Sequence, residues 1–375
     1  MLDLNAPVRL IPGDDPGAPV AGTGLCLSGG GYRAMLFHLG ALWRLHELGW
    51  LGKLDRVSSV SGGSITAAML GLTWPHLDND PTAFELGVVA PLRALARRDV
   101  DAGAIAVGLL TPETVGRRLA EAYRRHLYAD ATLQDLPDSP RFIFCATNLA
   151  SGQVFRFSKK ELADWRVGSI PAPDTPLADA VAASSAFPPL LSPFELDLRD
   201  AVWQDGEASD LTGPAYRAAV KLSDGGVSDN LGLETVWKRN ATVLVSDAGG
   251  AMRDDPKPPS DWVRQFTRVV MIVNNQVRDL RKRQIREGYE RGDRDGAYWS
   301  VRSNIDQYEL PDALPAPYER TLELANTPTR LAQLDDELQE RLINWGYVVA
   351  DTAMRKHVIP GTPPPAEMPY PETEL

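Results

Sequence analysis

The first residue that could take part in a chemical reaction is Ser61, which follows an apolar segment ending at Val60 and precedes Gly62 and Gly63. A strand, a sharp turn and a helix in this order project the serine hydroxyl out of the sheet, and the helix aims its positive end at the same point. Ser64 competes as nucleophile, but no strand precedes it, so we place it in the first turn of the helix. We therefore predict Ser61 as the nucleophile; the alternative is an ordinary turn between small residues.

A glycine loop, Gly29-Gly30-Gly31, follows an apolar segment at 25–28 and precedes a segment with helical apolar spacing. Three consecutive glycines let backbone N–H groups converge on one point, which stabilises negative charge developing on a bound oxygen. The loop is therefore a candidate oxyanion hole. Taken alone, it fits a nucleotide-phosphate cradle or a plain turn equally well, since Gly29-x-Gly31-x-x-Ala34 is similar to a dinucleotide-binding fingerprint.

Asp224 ends a third apolar run and is followed by Gly225 and Gly226. A carboxylate on so flexible a backbone can approach another site closely and serve there as a general base. An isolated Asp-Gly-Gly is more often a turn. Here, however, three motifs occur in order, each after a predicted strand.

Together the motifs resemble the patatin-like phospholipase family over roughly residues 22–250. The likeness lies in the glycine loop ending in Arg33, the serine elbow, the Asp-Gly-Gly motif, and a small-residue and proline segment at 183–189. Ser28 stands where the family often has aspartate, and Ser59 stands where the elbow usually has glycine. Neither difference removes a reacting group.

The resemblance implies a three-layer α/β/α fold with a mainly parallel central sheet. It also implies a lipid acyl hydrolase, of phospholipase A or lysophospholipase type, with a Ser61–Asp224 dyad. In such a dyad Asp224 takes the Ser61 proton, the glycine-loop amides bind the oxyanion, and water releases the acyl group. Arg33 is predicted to bind a substrate phosphate or to orient the loop, with a structural ion pair as the alternative. The predicted substrate is a phospholipid or another acyl-ester lipid, and no cofactor is expected.

Two other functions fit parts of the sequence. An α/β-hydrolase triad in the order Ser, Asp, His requires His357, the one histidine after both Asp224 and Asp247. It precedes a proline-rich segment, 359–375, that we predict to be disordered, which makes it a poor candidate base. A non-catalytic nucleotide- or protein-binding module would use the glycine loop and leave the other two motifs unexplained.

Composition narrows the class of protein. The 375 residues are 43% hydrophobic and 24% charged, enough for a sizeable core. The net charge of -11 supports neither nucleic-acid binding nor bulk attraction to an anionic membrane. The N-terminus is unlike a signal peptide and no apolar run reaches about 18 residues, so we predict a soluble, cytoplasmic protein.

Two further features concern thiols and metals. Cys26 and Cys145 lie in predicted central strands, where we expect buried, reduced thiols. The sequences at 78–80 and 293–296 are similar to calcium loops but lack the distal glutamate, so we predict turns and no metal site.

The elements that must position these residues begin with two strand–helix units, which favour a parallel sheet covered on both faces. Predicted strands are 25–28, 56–60, 141–147, 153–157 and 241–247, and predicted helices are 33–48, 64–72, 231–239, 261–289 and 331–345. Strand 153–157 should pair with strand 141–147 through the Ala150-Ser151-Gly152 turn. We predict one domain over 21–358, after an irregular segment at 1–20, with a helical cap at 83–128 whose arginines form a solvated face.

Two regions are predicted to shape a lipid site. The irregular stretch at 171–214 should wall the pocket; its apolar residues line an acyl-chain site or belong to the core (Phe187, Leu190, Leu191, Phe194). The predicted helix at 261–289 has a basic end, which is typical of a solvated helix. Its alternative interpretation is a membrane-surface helix making transient membrane contact.

Overall fold

The computed structural model describes residues 19–77, 82–100, 112–206, 208–250, 252 and 254–375. Within these residues, ten strands form one sheet. Their bounds are β1 Val20–Leu27, β2 Leu54–Val60, β3 Arg141–Asn148, β4 Val154–Phe157, β5 Glu161–Asp164, β6 Gly168–Pro171, β7 Phe194–Asp197, β8 Ala219–Asp224, β9 Asn240–Asp247 and β10 Asp295–Ser300. The order along the sheet is β10-β9-β1-β2-β3-β4-β5-β6, with β8 also paired to β3 and β7 paired to β8.

One half of the sheet is parallel and the other half is antiparallel. β10, β9, β1, β2 and β3 run parallel, and at the centre Leu25 of β1 pairs with Val57 on one side and Leu244 on the other. β4, β5 and β6 continue antiparallel, and the turn predicted between β3 and β4 is confirmed. The predicted α/β class is therefore confirmed. The sequence did not indicate β7 within the stretch predicted to be irregular, because four residues are too few to establish a period of two.

Helices cover both faces of the sheet, as the strand–helix order predicted. Their bounds are α1 Gly31–Glu47, α2 Gly62–Thr73, α3 Ala90–Ala96, α4 Pro112–Tyr123, α5 Leu177–Ser184, α6 Pro214–Arg217, α7 Gly226–Asp229, α8 Glu234–Trp237, α9 Trp262–Glu290, α10 Tyr318–Ala325 and α11 Asp336–His357. π-helical turns occupy Glu85–Val89 and Arg124–Tyr128, and 3-10 turns occupy Leu51–Lys53, Trp74–His76, Leu133–Asp135 and Ile305–Tyr308.

Alternating side chains of the parallel strands divide the core between the two faces. Leu25 and Leu27 of β1 belong to the large apolar cluster that includes α1, α2 and α11. Cys26 points the other way, into a smaller cluster with Val236 of α8 and Ile285 of α9. Both cysteines are free and buried, as expected. The sheet therefore separates two helical layers, and α9 lies on the smaller-cluster side.

The close packing of α1 against α11 explains why the predicted bounds of the last helix were wrong. A Cβ atom at Gly40 would lie 1.9 Å from the Ile343 carbonyl oxygen, and one at Gly346 would lie 1.9 Å from the Phe37 carbonyl oxygen. The prediction ended the helix at residue 345, but Gly346 lies inside α11, because only glycine admits so close an approach of two backbones. α11 begins after Asp335, whose side chain accepts a hydrogen bond from the Leu338 amide at 2.8 Å.

The C-terminal segment after Pro360 is packed onto the helices, so the prediction of disorder was wrong. The buried Asn344 side chain donates to the carbonyl oxygens of Tyr370, at 2.8 Å, and Thr373, at 2.9 Å. Leu375 is 3% exposed. Proline prevents regular hydrogen bonding within this segment, but it does not prevent the segment from packing irregularly against a helix.

Among the remaining predictions, one helix is shorter than expected and several segments lie outside the described residues. Predicted helix 231–239 is reduced to α8 alone, and the turn at 293–296 leads into β10. Residues 78–80, and residues 101–111 of the predicted cap, lie outside the described residues, as does most of the segment 1–20. Arg97, Arg124 and Arg125 make exposed ion pairs, as between Arg125 and Glu121, which fits the predicted solvated face. None of the helices in the described ranges has the length and apolarity needed to cross a bilayer.

Candidate active site

The nucleophile elbow forms where β2 ends at Val60 and α2 begins at Gly62. Ser61 occupies the junction with φ 53° and ψ −121°, a backbone conformation that a residue with a side chain rarely adopts. Close packing makes the two following glycines necessary: a Cβ at Gly62 would lie 2.1 Å from the Gly31 carbonyl oxygen, and one at Gly63 would lie 2.5 Å from that of Leu27. The strained serine is thus held against the glycine loop.

The buried hydroxyl groups of Ser59, Ser64 and Ser184 form a hydrogen-bonded group beside the elbow. The Ser64 Oγ lies 3.0 Å from that of Ser59 and 2.8 Å from that of Ser184. Ser64 is fully buried in the first turn of α2, so its predicted place in the helix is confirmed. Ser59, where glycine is usual, donates to the Ile143 carbonyl oxygen at 3.2 Å and ties the elbow to β3.

Two strands that end head to head bring Ser61 and Asp224 together. β2 runs parallel to β3 and its last residue, Val60, pairs with Cys145. β8 runs antiparallel to β3 along the same edge, and its last residue, Asp224, pairs with Ala146. Since consecutive residues of β3 face the two strand ends, the serine that follows Val60 lies beside the aspartate. The structure thus brings together the two residues that were predicted to form a dyad.

The Asp224 carboxyl group is buried and only partly satisfied. Its Oδ1 accepts a hydrogen bond from the Gly226 amide at 2.7 Å. Within the described part of the chain, Oδ2 is buried without a hydrogen bond of ordinary geometry. Burial raises the pKa of the Asp224 carboxyl to about 6, although the Gly226 amide and the nearby Ser61 hydroxyl both lower it. A carboxylate in this state can accept a proton near neutral pH.

The segment between α5 and the prolines links the two reacting residues. The Ser184 Oγ accepts a hydrogen bond from the Ser61 amide at 3.0 Å and donates to the Cys145 carbonyl oxygen at 2.7 Å. The carbonyl oxygen of Ser184 accepts from the Gly225 amide at 3.3 Å, and that of Ala186 accepts from the Asp224 amide at 2.8 Å. The sequence singled out this segment by its small residues and prolines but indicated no role for it in the site, because the groups that it contacts lie in distant parts of the chain.

The glycine loop presents fewer amides than predicted. The Gly29 amide donates to the Asn230 carbonyl oxygen at 3.1 Å, so Gly29 is not available as an oxyanion donor. Gly30, with φ 148°, and Gly31, with φ 59°, open α1, and the described residues provide no acceptor for their amides. Gly29 instead keeps the loop close to the elbow, because a Cβ there would lie 3.1 Å from the Ser61 Cβ.

Arg33 is buried and bound to backbone carbonyl groups, which argues against its predicted role of binding a substrate phosphate. It is 2% exposed. Its guanidinium donates to the carbonyl oxygens of Ala248, at 2.7 Å, Ala325, at 3.0 Å, and Thr327, at 2.7 Å. Burial lowers the pKa of Arg33 to about 10, so the group remains charged at neutral pH. Its position at the C-terminal end of α10 suits a cation, and its contacts fit the predicted alternative of orienting the loop.

Within the described residues, the contacts that His38 and His357 make do not include Ser61. His38 is fully buried under the glycine loop, and its ring nitrogens contact the Ser246 Oγ at 2.8 Å and the Ser28 carbonyl oxygen at 2.9 Å. Burial lowers the pKa of His38 to about 4, so it is neutral. His357 is the last residue of α11, and its ring centroid lies 6.1 Å from that of Tyr308.

One of the two aspartates that a triad could use, Asp247, is also occupied. Asp247 accepts from the Tyr298 hydroxyl at 2.8 Å and lies 3.3 Å from both Arg278 and Lys282. Burial opposes its ionisation, but the two cations hold the pKa of Asp247 well below its usual range. It therefore serves as the anion of a buried ion cluster that attaches α9 to the sheet.

The predicted acyl-chain residues divide into two groups. Leu191 and Phe194 are buried at 9% and 4% exposure, so they belong to the core. Phe187 and Leu190 are 54% and 55% exposed, and they follow Ala186, which contacts the Asp224 amide. The exposed pair therefore forms an apolar surface beside the dyad.

Comparison with known proteins gives one family and one fold. The model of the family described as "Patatin-like phospholipase" matches residues 25–237. Human GIVD cytosolic phospholipase A2 matches with a TM-score of 0.53 and 13% identity, over 92% of this chain and 61% of that chain. Its complex with methyl gamma-linolenyl fluorophosphonate matches with a TM-score of 0.52 and 17% identity, over 92% of this chain and 58% of that chain. No curated protein sequence matches significantly.

These findings differ in what they show. At such low identity the human structures establish the fold alone, and this chain spans between 58% and 61% of their length. The family model covers more than half of the chain and includes the glycine loop, the serine elbow and Asp224. The chain belongs to the patatin-like phospholipase family.

Proposed function

We propose that the protein is a lipid acyl hydrolase of phospholipase A or lysophospholipase type, acting through a Ser61–Asp224 dyad. The supporting observation is the head-to-head ending of β2 and β8 on β3, which places a strained serine beside a buried carboxyl group. Membership of the patatin-like phospholipase family supports lipid hydrolysis as the reaction class.

In the proposed acylation step, the Ser61 Oγ attacks the carbonyl carbon of an ester and its proton passes to the Asp224 carboxylate. The carbonyl oxygen becomes an oxyanion, which the Gly30 and Gly31 amides stabilise together with the positive end of α1. When the intermediate collapses, the ester C–O bond breaks. The alcohol leaves with the proton from Asp224, and the acyl group stays on Ser61.

In the proposed deacylation step, Asp224 takes a proton from water as the water oxygen attacks the acyl-enzyme. The second intermediate collapses to release a free fatty acid, and the proton returns to the Ser61 Oγ. Phe187 and Leu190, exposed beside the dyad, would contact the acyl chain. Arg33 supports the glycine loop from behind through the Ala248 carbonyl oxygen.

The other functions considered have less support. A Ser-Asp-His triad requires a histidine beside its aspartate, whereas His357 lies at the end of α11. Of the two aspartates that a triad could use, Asp247 is bound to two cations. A nucleotide-binding module requires room at the glycine loop. Here the loop packs so tightly against the elbow that a Cβ at Gly29 would meet the Ser61 side chain.

Labelling with a fluorophosphonate probe, combined with a hydrolysis screen, tests the proposal. Wild-type protein should be labelled and should hydrolyse one class among phospholipids, monoacyl lipids and short esters. Folded Ser61→Ala and Asp224→Asn variants should lose hydrolysis, and His357→Ala should retain it. Turnover like wild type in folded Ser61→Ala would end the hypothesis. Equal, severe losses in Asp224→Asn and His357→Ala would indicate a triad.

A further inference from the structure

The long helix α9 carries an exposed apolar stripe. We define the stripe as Trp262, Phe266, Val269, Val273, Val277 and Leu280, whose exposures are 79%, 67%, 49%, 59%, 38% and 58%. Steps of four, three, four, four and three residues keep these side chains on one face of a helix. At 1.5 Å per residue the stripe is about 27 Å long. A single exposed apolar residue is ordinary, but a continuous row of this length indicates an interaction surface.

The C-terminal half of α9 attaches the helix to the protein through the face opposite the stripe. Arg278 and Lys282 bind Asp247. Ile285 is 1% exposed, and the Tyr289 hydroxyl donates to the Val243 carbonyl oxygen at 2.7 Å. The C-terminal half therefore holds the helix on the sheet, and the stripe faces away from it. The fold does not use the stripe for its own core.

The stripe lies next to the proposed catalytic site. The Asn274 side chain, one residue after Val273, donates to the Gly226 carbonyl oxygen at 3.4 Å. Gly226 in turn donates its amide to the Asp224 carboxylate. Two hydrogen bonds therefore connect the middle of α9 to the proposed general base, and a surface bound by the stripe would lie beside the site.

The charge of α9 helps to decide whether the stripe would bind a second copy of the chain or a lipid surface. From Trp262 to Val277 the helix contains Arg264 and Arg268 and neither aspartate nor glutamate. The whole helix has seven arginines and lysines and three acidic residues, a net charge of +4. Asp247, which binds Arg278 and Lys282, and Glu234, which binds Arg281, reduce this charge to +2, in a chain of net charge -11. A second copy would bring two such positive helices together, whereas an anionic lipid surface complements them.

We propose that the stripe of α9 docks the protein on an anionic phospholipid surface. A helix with an apolar face and basic residues lies in the plane of the lipid interface, with Trp and Phe side chains among the headgroups and acyl chains. The contact between Asn274 and Gly226 keeps the dyad next to the docked helix, close to the ester groups of that surface. This inference depends on the proposed function only for its lipid substrate, and binding can be measured without turnover.

Two substitutions on the same helix provide a matched test. Val273→Glu puts a carboxylate on the stripe, and Met271→Glu puts one on the opposite face at a similarly exposed position, 52% against 59%. The probe is co-sedimentation with vesicles of equal parts phosphatidylcholine and phosphatidylglycerol, with pure phosphatidylcholine vesicles as the second arm. Val273→Glu should weaken binding to the anionic vesicles about tenfold, and Met271→Glu should stay within about twofold of wild type.

A neutral double variant, Phe266→Ser/Val273→Ser, separates apolar contact from charge. It should also bind the anionic vesicles about tenfold more weakly, and wild type should bind the pure phosphatidylcholine vesicles more weakly than the anionic ones. Equal binding by wild type and this variant would overturn the proposal. So would a wild-type dimer in analytical ultracentrifugation that Val273→Glu dissociates.

Activity measurements separate this inference from the proposed function. Hydrolysis of a soluble short-chain ester should be unchanged in Val273→Glu, and hydrolysis of anionic vesicles should fall in parallel with binding. Folded Ser61→Ala should still bind vesicles. Stripe-dependent binding without any ester hydrolysis would retain the docking proposal and reject the function. Ester hydrolysis with stripe-independent binding would do the reverse.

Discussion

Two opposing effects act on the Asp224 carboxyl group. Burial favours its protonated form, but a general base must be ionised before it can accept the Ser61 proton. The Gly226 amide offsets part of the burial by donating to Oδ1. The balance leaves the pKa at about 6, so the base is mostly ionised at neutral pH and its proton affinity is well above that of an ordinary aspartate.

Ester hydrolysis should therefore depend on pH through Asp224. Because the base acts in its ionised form, kcat/KM for a soluble ester should rise as the pH increases through about 6 and level off above it. The measurement is a pH–rate profile between about pH 4.5 and 8 with an uncharged substrate, after checking by circular dichroism that the protein stays folded. A profile that is flat through pH 6 would contradict the assignment of Asp224 as the base.

The same pKa has a consequence for stability. Because the folded-state pKa of Asp224 is raised above its ordinary value of 3.8, the native state binds more protons than the unfolded state between about pH 4 and 6. This contribution to stability is present at low pH and is lost as the pH rises through about 6.

A comparison with Asp224→Asn isolates that contribution, since asparagine does not titrate. The difference in free energy of unfolding, variant minus wild type, should grow by about 2–3 kcal/mol between pH 4 and pH 7.5. Urea unfolding at both pH values measures it. A difference that stays constant would mean that burial does not raise this pKa.

Gly30 should be sensitive to substitution because of its backbone. Its φ of 148° disfavours any side chain, and a Cβ there would lie 3.0 Å from the Ala248 carbonyl oxygen. Gly30→Ala should therefore turn the oxyanion amides away and lower kcat about 100-fold, as loss of one such donor does. Gly52→Ala is the control, since a Cβ at Gly52 meets nothing within 4 Å. A loss below about tenfold would indicate that the loop is not the oxyanion hole.

At the scale of an element, α5 and the residues after it hold the two ends of the site together. Ser184 contacts the elbow through its side chain and the Asp-Gly-Gly turn through its carbonyl oxygen. Its neighbour Ser185 is also buried, at 3% exposure, but its hydroxyl has no hydrogen-bond partner among the described residues. The two adjacent serines therefore form a matched pair.

Ser184→Ala should lower kcat at least about tenfold with little change in KM, because it releases the Ser61 amide from its acceptor and loosens a strained backbone. Ser185→Ala should stay within about twofold. The rate of fluorophosphonate labelling reports the reactivity of Ser61 and should follow kcat in both variants. Equal effects of the two substitutions would show that Ser184 has no positioning role.

At the scale of the whole molecule, residues distant in sequence complete the layers around the sheet. α11 packs on α1, and the segment after Pro360 covers both through Tyr370 and the buried Leu375. The ring of Tyr370 lies 4.7 Å from the guanidinium carbon of Arg93, which joins this segment to α3 as well. The C-terminal residues thus belong to the folded structure.

Removing residues 361–375 should therefore destabilise the protein. The buried Asn344 amide would lose both of its acceptors, and apolar surface on α1 would become exposed. A loss of at least about 2 kcal/mol in the free energy of unfolding is expected. Urea unfolding of the truncated and full chains provides the measurement. An unchanged midpoint would show that the segment contributes nothing to stability.

The sequence by itself determined the local elements and the candidate reacting residues. The apolar runs that lead to Gly29, Ser61 and Asp224 predict strands that end at turns with candidate reacting residues. Such predictions are possible because alternation, helix spacing and glycine content are properties of a few neighbouring residues. The same information predicted the α/β class and the long helix α9. It also predicted Ser64 as a helical residue and the cysteines as buried thiols.

Tertiary structure alone decided which groups meet. Ser61 lies beside Asp224 because two strands end on neighbouring residues of β3, a register that depends on backbone pairing across the sheet. The Gly29 amide is occupied by Asn230, and Arg33 is occupied by three carbonyl groups, since acceptors distant in sequence were folded against them. The proline-rich segment is ordered because α11 supplies its hydrogen-bond donors. These contacts join residues that are distant in sequence, so a pattern of neighbouring residues does not predict them.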